Sequence, residues 1–155
     1  MIVGFGDGLS AALARNLAAD HALTRAECSG DQMAAVAAET GAEMVLLDAT
    51  NEDELAGLIA ALPASPPVVI DNSPARVRGP IVELSADDVR RAVEVTAIGA
   101  FLTAKHAAKR MLAAEPIDGT RGTILFTGAS ARVKGFPLAL LSSVPSSPTP
   151  PSRKN

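Results

Sequence analysis

The sequence contains neither tyrosine nor tryptophan among its 155 residues, and it has only four phenylalanines. No phenol is therefore present anywhere in the chain to pass a proton to or from a substrate oxygen. Its one cysteine, Cys28, excludes an internal disulfide framework and a cysteine-built metal site, and the expected setting is reducing and cytoplasmic. His21 and His106 stand far apart with no partners at ligand spacing, so no metal centre is expected. No apolar run approaches the roughly 20 residues that span a bilayer as a helix. The first residues lack the basic region and apolar stretch of a signal peptide, because glycines begin at Gly4. A formal net charge of −3 offers no electrostatic attraction to nucleic acid or an anionic membrane, and neither is expected as a partner.

Hydrophobic residues make up 48% of the chain and charged residues 20%, the balance of one globular domain. The apolar pattern alternates along the chain. "MIVG" reads as a short strand, and Leu9, Ala12, Leu13 and Leu17 mark one face of a following helix. "HALTRAE" reads as a second strand, and "DQMAAVAAET" as a helix with Asp31 as N-cap and Gly41 past its end. "AEMVLLDAT" has a continuous apolar centre from Met44 to Leu47, which predicts a strand covered on both faces. "NEDELAGLIAALP" is a helix with acids in its first turn and Pro63 beyond its end. "PPVVIDNS" is a fourth strand. Ser85 caps a helix whose pattern continues through "AIGAFLTAKHAAKRMLAA", with Ile98, Phe101, Leu102 and Met111 as its apolar stripe. Lys105, Lys109 and Arg110 are expected on its exposed face, and "GTILFTG" is a fifth strand. Strands alternating with helices predict an α/β fold, a doubly wound parallel sheet with helices on both faces. The pattern ends near residue 141, and residues 142–155, with four prolines and five serines, are expected to be a disordered tail.

Gly4, Gly6 and Gly8 lie between the first strand and the first helix. Glycines there permit a tight turn and a close backbone approach to a pyrophosphate, while the helix start at Leu9 aims its free N–H groups at the anion. The end of the second strand offers Glu27 for the ribose hydroxyls of NAD, or Arg25 for the 2′-phosphate of NADP, and both remain open. Methyltransferases also carry such a loop, generally with an acid in the preceding strand. Met1, Ile2 and Val3 provide none, which ranks S-adenosylmethionine below a dinucleotide.

Taken in order, these segments resemble the short-chain dehydrogenase/reductase family. Its T-G-x-x-x-G-[IL]-G motif is similar to "VGFGDGLS", with Gly4, Gly8 and Leu9 in place, Val3 for the threonine and Ser10 for the last glycine. "LLDATNEDEL" looks like the segment that would put Asp48 and Ala49 near the adenine. Asp71, Asn72, Ser73 and Pro74 occupy the N-N-A-G positions, with Asn72 kept. Thr96 and Gly99 stand in the N-V-x-G places of the long interface helix, which implies a homo-oligomer formed through residues 95–114. "GTILFTGASARVKG" resembles the strand and loop of the catalytic serine, with Ala129 or Ser130 at that position. The resemblance implies NAD or NADP as cofactor and hydride transfer between nicotinamide and a carbonyl or alcohol. It spans residues 1–137 and stops before the family's Y-x-x-x-K, where this chain reads "LALLSSVPSSP". The expectations are a truncated or frameshifted product that catalyses little or nothing, or else a non-catalytic nucleotide-binding, dimerising module.

Overall fold

The computed structural model describes residues 1–4, 8–27, 33–73, 75 and 77–128. Within them five strands, β1 (Ile2–Val3), β2 (Thr24–Glu27), β3 (Glu43–Leu46), β4 (Val68–Asp71) and β5 (Thr123–Phe126), form one parallel sheet in the order β3-β2-β1-β4-β5. The chain winds outward from β1 to β3, then crosses back to place β4 on the other side of β1. Helices α1 (Leu9–Leu17), α2 (Met33–Thr40), α3 (Glu52–Ala61), α4 (Ala86–Val93) and α5 (Ala100–Ala113) make the connections, and a π-helical turn, Glu94–Gly99, joins α4 to α5. This is the doubly wound α/β arrangement that the alternating pattern predicts.

Side-chain alternation along the strands divides the core into two. Ile2 and Ile70 pack with Ala11, Ala14, Leu23 and Val36 under α1 and α2. Val3, Ala26 and Val69 pack with Leu55, Ile59, Leu102 and Met111 under α3 and α5. The caps at Ser85 and Gly41 follow the sequence, and Asn51 is one more that the sequence did not single out. Asn51 accepts from the amides of Asp53 and Glu54, Ser85 accepts from those of Asp87 and Asp88, and Gly41 closes α2 through the Ala37 carbonyl. Asp31 lies outside the described residues, as does the tail expected over 142–155.

Four expectations need correction. The buried face of α1 is Ser10, Ala11 and Ala14, while Leu9 is exposed and Leu13 and Leu17 lie at its margins. Only small side chains let the helix start approach the sheet so closely. The stripe of the later helix likewise divides: Leu102 and Met111 are buried, with Thr103 and Ala107 between them, but Ile98 and Phe101 face outward. Third, the cover on β3 is partial: Met44 and Val45 pack on the two opposite core clusters, but Leu46 is exposed on what is an edge strand with β2 as its one neighbour. Apolar content alone does not say where in a sheet a strand will sit. Fourth, Arg110 is not simply solvated, because its guanidinium donates to the Ala60 and Leu62 carbonyls at the end of α3.

Candidate functional site

All five strands run the same way, so their C-terminal ends share one edge of the sheet. At that edge the winding reverses between β1 and β4, the place where open α/β sheets hold ligands in a crevice. Gly4 begins the first of these loops with φ +74°, and a Cβ there would lie 2.4 Å from the Ser73 backbone. Its amide donates to the Ala26 carbonyl at 2.9 Å, and the amide of Asn72 donates to the Val3 carbonyl at 2.8 Å. Glycine is required because two loops touch through their main chains.

A side-chain relay ties the two loops and reaches β5. Ser10, fully buried in the first turn of α1, donates to the Gly4 carbonyl at 2.9 Å. The Asn72 amide donates to the Ser10 hydroxyl at 2.7 Å, and the Thr127 hydroxyl donates to Asn72 Oδ1 at 2.6 Å. Three strand ends are thus held in one register by side chains that each give or accept defined bonds. Ser73 donates its amide to Asp71 Oδ1 at 3.0 Å. Gly8 differs from Gly4: nothing lies within 4 Å of where its Cβ would be. Among the described residues no side chain caps α1.

Asp48 and Ala49 follow β3 at the same edge. Asp48 Oδ1 accepts from the Thr50 hydroxyl at 2.7 Å and the Thr50 amide at 2.9 Å. These bonds, the hydroxyl's first, hold the carboxyl below its ordinary range, with Arg91 adding a smaller push in the same direction. Ala49 sits against Gly99, where a Cβ would be 3.4 Å from the Ala49 carbonyl oxygen. Arg25 is wholly inside the protein, in register with Ile2 and so on the α1/α2 side of the sheet. Glu27 ends β2 at the edge of the crevice.

The structure therefore puts Gly4, Gly8, Leu9, Asn72 and Ser73 beside one another at the C-terminal ends of β1 and β4, and Asp48 and Ala49 at the same edge after β3. Gly6, Pro74, Ala129 and Ser130 lie outside the described residues. Ser10 and Thr127 were not singled out by the sequence as site residues. Ser10 reads there only as a departure from glycine, because its partner Asn72 is 62 positions away.

A family model described as short chain dehydrogenase matches residues 1–141. Among solved structures, the chain is similar to a short-chain dehydrogenase from Rhodopseudomonas palustris, with TM-score 0.74 and 32% identity, covering 88% of this chain and 66% of that one. It is similar to BdcA in complex with NADPH, with TM-score 0.76 and 23% identity over 92% of this chain and 56% of that one. It is also similar to an NAD+-bound xylitol dehydrogenase, with TM-score 0.73 and 21% identity over 92% of this chain and 56% of that one. The last two likenesses speak to the fold. The chain spans 56% to 66% of the length of these three structures. No curated protein sequence matches it.

Proposed function

The chain belongs to the short-chain dehydrogenase family, and we propose that it holds a nicotinamide dinucleotide across the strand ends, as the binding part of an oxidoreductase acting between a carbonyl and an alcohol. The observation that carries this reading is the pairing of two unlike glycines. Gly4 is locked against the Ser73 backbone, whereas no described atom lies near the Gly8 Cβ position and no described side chain caps α1. That combination suits a pyrophosphate, with the amides at Gly8 and Leu9 as donors and Gly6 in the same loop. Asp48 and Ala49 then serve the adenosine half. Strands in a sheet lie about 4.8 Å apart, so β3 is roughly 10 Å from β1, within the reach of an adenosine. Asn72 and Ser73 serve the half that extends toward β4 and β5.

The cofactor is NAD in preference to NADP. Arg25 is buried, and the segment "ECSGDQ" that follows carries no cation for a 2′-phosphate, while the sequence puts an acid, Glu27, at the end of β2, the residue type that suits ribose hydroxyls. A bound dinucleotide supplies the hydride acceptor or donor. The protein's remaining task is proton transfer at the substrate oxygen, and a chain without tyrosine lacks the phenol its family uses for that step. This 155-residue chain therefore binds the dinucleotide and turns over little or no carbonyl substrate.

Val93, Ile98 and Phe101 expose apolar surface along α4, the π-helical turn and α5, which supports a second copy of the chain as the partner on that face. Calorimetric titration with NAD, NADP and S-adenosylmethionine tests the binding reading, and hydride transfer to a panel of carbonyls tests the catalytic one. Tight binding of S-adenosylmethionine alone would replace the dinucleotide reading with a methyltransferase one. Robust turnover would contradict the expected lack of catalysis.

A further inference from the structure

The helical run from α4 to α5 meets the segment after β3 at successive heights. Arg91 acts on the charge of Asp48, Gly99 packs on Ala49, and the next contact is an ion-pair junction at Glu52. There Glu52 Oε1 accepts from Lys105 Nζ at 2.6 Å and from His106 Nε2 at 2.9 Å. Glu52 is the first residue of α3, directly after its cap Asn51. The Asn51 amide group donates to Glu54 Oε1 at 2.7 Å, and Glu54 Oε2 accepts the Asp48 amide at 3.0 Å. An unbroken path of polar contacts and helix backbone therefore leads from α5, through the first turn of α3, to Asp48.

We propose that Glu52 is a positioning residue for the adenosine end of the site: its two bonds to α5 fix the first turn of α3, and that turn fixes residues 48–51. The proposal rests on the dinucleotide reading above. A lone exposed ion pair contributes little, but here one carboxylate oxygen gathers two donors from consecutive residues, and the His106 side chain is only 16% exposed. Its position also matters, since Glu52 begins a turn whose Glu54 side chain bonds back onto the loop.

The test compares the wild type with Glu52→Gln and Lys105→Arg, titrating each with AMP and with nicotinamide mononucleotide and following amide exchange at residues 48–51. Glu52→Gln should weaken AMP about twofold to fivefold, leave nicotinamide mononucleotide unchanged and speed exchange at 48–51. Lys105→Arg keeps the cation and should behave as the wild type. An AMP affinity indifferent to Glu52, in a chain that binds NAD, overturns this inference alone. An equal loss for both mononucleotides overturns it as well, because a general loosening of the fold would act on both. A wild type that binds no dinucleotide overturns the reading beneath it.

Discussion

Gly4 and Gly8 belong to the same loop and answer to different physics. At Gly4 a methyl group would strike the Ser73 backbone and stand at a positive φ, so Gly4→Ala should cost about 2–5 kcal/mol in urea unfolding. At Gly8 the same methyl meets nothing, so Gly8→Ala should unfold within about 0.5 kcal/mol of the wild type. It should nevertheless weaken the dinucleotide about tenfold, because it fills the approach to the α1 amides. Both variants losing stability alike would contradict this division. Ser10→Ala leaves the Asn72 amide without its acceptor and should cost about 1–3 kcal/mol in the same measurement. The glycines and Asn72 are legible in the sequence because their types are tied to a local turn or motif. Ser10 and Thr127 are not, because their roles are bonds made across 62 and 55 positions.

At the scale of elements, the helices are readable where local chemistry decides them, as at the cap Ser85 and the stop at Gly41. Which face of a helix is buried is decided by its neighbours. That is why the leucines of α1 give way to Ser10, Ala11 and Ala14, and why Phe101 faces outward. The junction of α3 with α5 makes a prediction in pH. Glu52 is held below its ordinary value of 4.5 by the Lys105 bond first and the His106 bond second. A carboxyl lowered on folding stabilises the fold above its unfolded pKa, and that contribution is lost as the pH falls through the folded value. The wild type should therefore melt above Glu52→Gln at pH values over 4.5, and the difference in Tm should close as the pH falls below it. A difference that persists unchanged to about pH 3 would contradict the ion pair as its source.

For the whole molecule, alternating strands and helices were enough to predict the doubly wound sheet, because right-handed crossovers admit few other arrangements. The order of the strands was less legible, and with it the exposure of Leu46 on β3 and of Leu125 on β5, the two edge strands. The outward face formed by Val93, Ile98 and Phe101 predicts self-association. Sedimentation should find a dimer that Phe101→Glu dissociates, and a wild type monomeric at high concentration would remove that partner. Among the described residues no helix is long and apolar enough to cross a membrane. The central claim is that the crevice at the turn between β1 and β4 holds a dinucleotide. Calorimetric titration of the 155-residue chain with NAD and NADP tests it most directly. The account predicts saturable one-to-one binding of NAD, at least about tenfold tighter than NADP and weakened about tenfold by Gly8→Ala. No heat of binding with either dinucleotide, from a chain shown to be folded, would contradict it.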